Sequence, residues 1–359
     1  SDRLAAQGEP RTMTTQRYHA LKVRAVTEET HDAKSVVFEV PPELAETFKY
    51  RPGQFLTLRL PVLGRHLPRC YSMSSAPTLD AHLRVTVKRV KEGRGANWVC
   101  DHVRAGDTLE VMAPAGVFTP ASLQGDFLLC AGGSGITPVF SILRSALAHG
   151  QGRIRLLYAN RDERSVIFRD ELNALAAAHP ARLQVIHWLD SVQGVPSVAQ
   201  LAELARPWAQ AQAFICGPGL FMDAMVSALE KAGMPGEQVH VERFVSLPDE
   251  EDVAAINAAA PAPAATVERA TVEMELDGEV YTLEVGGTET LLDAALKAGI
   301  NAPHSCQAGM CASCMCQVVE GEVQLRHNEV LDAKDLAKRW TLSCQALPTT
   351  ERVKVRFPG

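Results

Sequence analysis

Three cysteines crowd one short stretch, Cys306-x4-Cys311-x2-Cys314, and a fourth, Cys344, follows after 29 intervening residues. Thiols held that close either share a metal centre or are ordinary buried cysteines, so this spacing constrains the fold more than any other feature. Three thiolates on a tight loop can wrap two iron atoms, and the fourth arrives from a distant strand to close the cage, which is the plant-type [2Fe–2S] spacing. The neighbouring residues Ser305, Ala308, Gly309, Ala312 and Ser313 are small, so backbone N–H groups can face the sulfurs and offset the negative charge of a buried cluster. A structural zinc site prefers paired C-x2-C knuckles, and only one such pair is present beside the x4 spacing. The metal ligands are therefore assigned to Cys306, Cys311, Cys314 and Cys344. Cys316 reads as a packed non-ligand, and Cys70, Cys100 and Cys130 as ordinary buried cysteines. An odd total of nine cysteines is a poor disulfide framework and points to a reducing, cytoplasmic compartment.

The 359 residues suffice for two or three domains. Residues 1–16 read as a disordered tail or remnant without an apolar signal segment, with Met13 a plausible native start. Residues 17–122 hold short β-branched runs broken by Gly and Pro, at 34–40, 54–60, 83–90 and 108–112, which suggest a small antiparallel β-barrel. Residues 123–246 alternate apolar strands at 127–131, 154–158, 183–187 and 213–216 with helices at 139–148 and 221–232, the pattern of an α/β domain with a parallel sheet. Residues 247–268 are acidic and then, at 258–265, only Ala and Pro. That composition reads as a semi-rigid tether on which the last unit swings, and Pro261 and Pro263 argue against a helix there. Residues 269–359 form an α+β unit: a hairpin turning at Asp277-Gly278 between 271–276 and 279–285, and helices near 289–298 and 331–340. The net charge of -6 argues against nucleic-acid binding, and no apolar run is long enough to span a bilayer.

Two further motifs carry chemistry. Arg69-Cys70-Tyr71-Ser72 comes after the Pro52-Gly53-Gln54 turn and lies at the end of a barrel strand. Arg69 offers a bidentate cation for a flavin phosphate, Tyr71 an aromatic face for the isoalloxazine, and Ser72 a hydroxyl near flavin N5. Val87-Lys88 and a Gly95-Ala96-Asn97 turn complete the candidate flavin site. Gly132-Gly133-Ser134-Gly135-Ile136-Thr137-Pro138 leaves a strand and opens a helix. Its glycines admit phosphates to the backbone, and the helix N-terminus favours their charge. Pro138 stands where the ordinary dinucleotide fingerprint has Gly or Ala, and Ile136 excludes a G-x-S-x-G nucleophile elbow. Gly133, Ser134, Gly135, Thr137 and Pro138 are thus candidate nucleotide ligands. Two other strand ends join them: Asn160-Arg161 for the adenosine, and Cys216-Gly217-Pro218 beside the nicotinamide. Glu242 and Phe244 close the sheet toward the flavin, and Ser72 and Cys216 are the candidate catalytic residues.

In this combination and order, the chain resembles the ferredoxin–NADP⁺ reductase superfamily, in the class with a C-terminal plant-type ferredoxin domain, from about residue 17 to the end. Stretches 157–162, 165–168 and 187–194 are similar to its steroid-hydroxylase branch. The resemblance implies a β-grasp fold for the last domain, the cofactors FAD and a [2Fe–2S] cluster, and NADH, with NADPH as the alternative donor. It also implies a terminal oxygenase, of the Rieske type, as electron acceptor, with a diiron epoxidase as a second candidate. A redox sensor that reads cluster state is a rival of another class. Relatives place Ser or Thr at position 96, where this chain has Ala, so one hydrogen bond to the FAD pyrophosphate is lost. Asp162 favours a free ribose hydroxyl, whereas Arg161 and Arg164 suit a 2′-phosphate. A monomer is expected. From Arg269 on, thirteen Asp and Glu face nine Lys and Arg, suggesting an acidic docking surface.

Overall fold

The computed structural model describes residues 18–260 and 267–358. The expected tail at 1–16 and the proline-bearing end of the Ala/Pro run, 261–265, lie outside them. Six antiparallel strands form the first unit: β1 (Tyr18–Thr30), β2 (Ala33–Glu39), β3 (Phe55–Val62), β4 (Arg65–Ser72), β5 (Leu83–Lys88) and β6 (Thr108–Met112). They run in the order β4-β3-β6-β1-β2-β5, and a bridge between Met73 and Val85 brings the two ends together into a barrel. Leu21, Phe38, Leu56, Leu58, Leu60 and Val85 fill it. A helix, α1 (Arg94–His102), follows β5. Gly95, Ala96 and Asn97 are thus its first turn and not a free loop. The absent Ser or Thr side chain at 96 matters less on a helix N-terminus, whose backbone donors remain unspent.

The second unit is a five-stranded parallel sheet of β7 (Phe127–Gly132), β8 (Ile154–Asn160), β9 (Leu183–Leu189), β10 (Gln212–Cys216) and β11 (Val239–Glu242), in the order β11-β10-β7-β8-β9. Its helices are α2 (Ile136–His149), α3 (Arg169–Ala178), α4 (Asp190–Gln193), α5 (Val198–Ala205) and α6 (Gly219–Lys231). The chain leaves β7 toward β8 on one side and later returns to β10 on the other. The winding therefore reverses between β7 and β10, and open sheets of this kind bind ligands at that crevice.

Where composition reads as an unpacked tether, residues 250–259 instead form a 3-10 turn (Glu250–Asp252) and a helix, α7 (Val253–Ala259). The helix stops two residues before Pro261, so the prolines limit its length without forbidding it.

The third unit pairs β12 (Arg269–Leu276) with β13 (Glu279–Gly286) through Asp277 and Gly278, at φ 53° and 82°, the paired positive values of a tight hairpin turn. It continues through α8 (Leu291–Lys297), capped by Thr290 and Asp293, and β14 (Met315–Glu320) and β15 (Val323–Leu325). Then come α9 (Ala333–Ala337), β16 (Trp340–Leu342), β17 (Ala346–Pro348) and β18 (Arg352–Arg356). The sheet order is β13-β12-β18-β14-β16, with β12 and β18 parallel.

The barrel meets the second unit at Gly53, in the turn before β3. Its φ is 98°, and a Cβ there would lie 1.8 Å from the Phe118 carbonyl oxygen and 3.3 Å from Ile142 Cδ1 on α2. Gly53→Ala is expected to lower the unfolding free energy by about 2 kcal/mol or more, the scale of a strained backbone combined with overpacking. Urea denaturation checks this, and an unchanged midpoint would refute the tight contact.

Candidate functional site

Strand β4 ends on Ser72, which is 3% exposed and lines a cavity of about 550 Å³ shared by all three units. Cys70 lines it too, as do Glu242 and Phe244 at the edge of the second sheet, Leu247 beyond it, and Cys311. Upstream, Arg69 donates from Nη1 to the Leu247 carbonyl at 2.9 Å, and burial lowers its pKa. Gly95 packs so closely that a Cβ would stand 2.8 Å from Arg69 Cγ, bringing the guanidinium onto the start of α1. The cap residue Gly93 offers no side-chain acceptor, so the donors of that first turn remain for a pyrophosphate. The Tyr71 hydroxyl is buried and unpartnered, and burial raises its pKa. A buried phenol without a partner fits a site meant to be filled by a polar cofactor. Two expected ligands are engaged elsewhere. The Val87 side chain is 1% exposed in the barrel core, and the Asn97 amide is spent on Val90, donating at 3.0 Å and accepting at 3.2 Å.

The glycine loop turns at Gly133–Gly135 and runs into α2, with Gly133 at φ 53°. A Cβ on Gly135 would fall 2.1 Å from the Cys216 carbonyl oxygen, so only glycine lets the ends of β7 and β10 meet at the crevice. Thr137 donates to the Ser134 carbonyl at 3.1 Å and braces the turn, while the Tyr158 hydroxyl donates to the Gly133 carbonyl at 3.0 Å. Pro138 is the third residue of α2, and in that turn a missing N–H costs nothing. Lys88 reaches from β5 to this loop, its Nζ 3.6 Å from where a Gly133 Cβ would be. Cys216 is fully buried, which pushes its thiol pKa up, and Gly217 and Pro218 lead into α6. Asn160 is buried at the end of β8, and Arg161 is exposed beside Asp162, 3.4 Å from its carboxylate. Asp162 also caps the next turn by accepting from the Ser165 N–H and hydroxyl.

The four cysteines gather with exposures of 1% (Cys306), 7% (Cys311), 2% (Cys314) and 3% (Cys344). They meet as two pairs, Cys306 with Cys311 and Cys314 with Cys344. Among the described residues no three metal-ligating groups converge on one point. Two thiol pairs fit a two-iron cluster, which takes a pair on each iron. The Ala308 and Met310 amides donate to Cys306 Sγ, each at 3.4 Å, and hydrogen bonding from Cys306 lowers the Cys311 pKa to about 6, favouring the thiolate a metal needs. Cys316 lies in the core of the sheet, fully buried.

Sequence reasoning passed over three residues at the junction. Cys70, taken for an ordinary buried thiol, packs with Leu247, Met310 and Ile256 against Cys306 and Cys311. Met310 was visible as the one large apolar side chain in a loop of mostly small residues, whereas Leu247 carried no signal. Glu242 faces the same cavity, and burial, reinforced by Asp335, raises its carboxyl to about 8.

The fold and the site define a three-part oxidoreductase with flavin-, nicotinamide- and iron–sulfur-binding units. The chain matches an oxidoreductase FAD-binding domain over residues 20–119, an oxidoreductase NAD-binding domain over 129–227 and a 2Fe-2S iron–sulfur cluster binding domain over 274–349. It is 52% identical over 340 residues to the ferredoxin reductase component of 3-ketosteroid-9-alpha-monooxygenase from Rhodococcus rhodochrous, covering 94% of this chain and 96% of that protein. A component of the 1,2-phenylacetyl-CoA epoxidase of Escherichia coli is 37% identical over 370 residues, covering 96% of this chain and 98% of that one. Phthalate dioxygenase reductase shares the fold, with a TM-score of 0.58 at 24% identity over 95% of this chain and 98% of that one. The chain belongs to this family of ferredoxin reductase components of multicomponent oxygenases.

Two tests follow from the site. Cys344→Ser is expected to abolish the electron paramagnetic resonance signal of the reduced cluster, and Cys316→Ser to retain it; the reverse pattern would reassign the fourth ligand. Glu242, its folded pKa raised from 4.5 to about 8, favours the fold in its protonated form. Its contribution is full below pH 4.5 and is lost as pH rises through about 8. The thermal stability of the flavin-free parent relative to Glu242→Gln should therefore fall across that window, and parallel curves would show an ordinary, solvated carboxyl.

Proposed function

We propose that this chain is the reductase component that carries electrons from NADH through FAD and a [2Fe–2S] cluster to a terminal oxygenase of the 3-ketosteroid 9α-monooxygenase kind. One observation carries the reading: Ser72 of the barrel, Glu242 and Phe244 of the parallel sheet and Cys311 of the cysteine loop open on a single cavity. A bound flavin accepts an electron pair as hydride and releases single electrons, which joins a two-electron nicotinamide donor to a one-electron iron centre.

The chain's own part is holding, orienting and shielding. Arg69, Lys88 and the starts of α1 and α2 receive the phosphates of the two nucleotides. Ser72 offers its hydroxyl at the cavity wall, and Cys216 closes the crevice behind the nicotinamide. Phe244, 47% exposed, lines the cavity with an aromatic ring. Desolvation pushes the Glu242 carboxyl toward its neutral form and so lessens the negative charge beside a site that receives hydride. No general base or nucleophile is required, since the protein aligns rings and excludes water. NADH as the donor follows from the family resemblance, since Asp162 is already engaged by Arg161 and Ser165. The higher identity to the steroid monooxygenase reductase than to the epoxidase component supports a Rieske acceptor over a diiron one.

Anaerobic mixing of the loaded protein with NADH should bleach first flavin and then cluster absorbance, and the reduced protein should reoxidise fastest against the Rieske-type oxygenase. Faster transfer to a diiron epoxidase would reassign the partner.

A further inference from the structure

The segment between the second and third units belongs to neither sheet, yet it is fastened at both ends. At its start, Asp249 is 1% exposed and takes both arms of Arg94, at 2.7 and 2.9 Å. Glu250 accepts from Arg59 Nε at 3.0 Å and Nη2 at 2.9 Å, and Asp252 from Arg65 Nη2 at 2.8 Å. Arg59 and Arg65 stand on barrel strands β3 and β4. At its far end, Asn257 on α7 donates from Nδ2 to the Gln307 carbonyl at 3.0 Å and accepts from Gln345 Nε2 at 3.1 Å. Gln307 follows Cys306 and Gln345 follows Cys344, so one amide ties together the two chain segments that bring in these cysteines. Between the two ends, Ile256 packs with Leu247 against Cys306 and Cys311. From Glu250 to Asn257 the path is helical and about 10 Å long, too short and too regular to swing.

We propose that residues 249–257 are a strap that fixes the cysteine loop over the flavin cavity, with Asn257 as the positioning residue for electron passage from flavin to cluster. The charges grip the barrel, and the amide sets where the loop rests. The proposal builds on the electron path described above and adds its geometric control. Arg59 is largely shielded and pairs with Glu250 through a two-pronged contact, the geometry in which an ion pair orients as well as attracts. Asn257 is uncharged and half-buried, so its two hydrogen bonds specify one register of α7 against the loop.

The test uses the full chain loaded with FAD and cluster. Asn257→Leu keeps the branching of the side chain and removes both hydrogen bonds, and Glu250→Gln weakens the barrel grip while leaving the hydrogen bonds between Asn257 and the cysteine segments in place. With NADH under anaerobic stopped flow, both variants should bleach flavin at the parent rate. Cluster bleaching should slow on the order of tenfold to a hundredfold in Asn257→Leu, the cost of an ångström-scale misplacement, and by less in Glu250→Gln. Amide hydrogen exchange across residues 306–311 should accelerate in both, while the reduced-cluster resonance spectrum stays that of the parent. Should Asn257→Leu lose its cluster, Glu250→Gln decides alone. A parent that passes electrons while Glu250→Gln matches it in both cluster bleaching and exchange overturns the strap. A parent whose cluster NADH cannot bleach overturns the electron path and the strap's role with it.

Discussion

The contact on which this architecture turns is small: the cysteine loop resting on the last turn of β4, where Cys70 and Leu247 meet Cys306, Cys311 and Met310. Electrons pass between centres only when those centres lie close, so each unit must present its reactive edge to one place. The barrel does so by ending β4 on Ser72, and the parallel sheet by ending β11 on Glu242. The third unit presents a loop and then anchors it from the opposite side, where Lys334 on α9 donates to the Gly236 and Val239 carbonyls, at 2.6 and 3.2 Å, beside β11. Moving any one of these attachments displaces the loop from both neighbours at once.

Burial at that meeting point has an electrostatic consequence. Glu242, Cys216 and Cys70 are all pushed toward their neutral forms, chiefly by desolvation. The inner wall of the cavity thus adds little charge of its own, while charged side chains of both signs, Arg243, Lys334, Lys338, Glu237, Asp332 and Asp335, also line the cavity. An inner wall of this kind keeps water from the transfer path.

Much of this was readable from the chain because it is local. The cysteine spacing, the Arg69–Ser72 motif and the Gly133–Gly135 turn are each set within a few residues, and the parallel sheet announced itself in apolar runs of strand length. Strands β1 and β4 escaped because their alternation is diluted, by Lys22, Arg24, Glu28 and Glu29 in one and by Arg65, His66 and Pro68 in the other. In β4 they serve partners far along the chain, as Arg65 serves Asp252, and in β1 Glu28 and Glu29 meet Lys34 and Ser35 on the neighbouring strand. The strap was hidden for the same reason: an acidic run before an Ala/Pro tract has the composition of a tether, and only its remote arginines reveal a packed element. Cys70 likewise gained its place at the junction from tertiary packing alone.

The sulfur of Cys306 takes its hydrogen bonds from main-chain amides, those of Ala308 and Met310. A redox centre tuned this way has its voltage written in the shape of the peptide, so most side chains along the loop are free to drift without retuning it. Gly309 is the exception: at φ 74°, with the His327 oxygen 2.6 Å from where a Cβ would stand, it is the hinge pin that holds the shape.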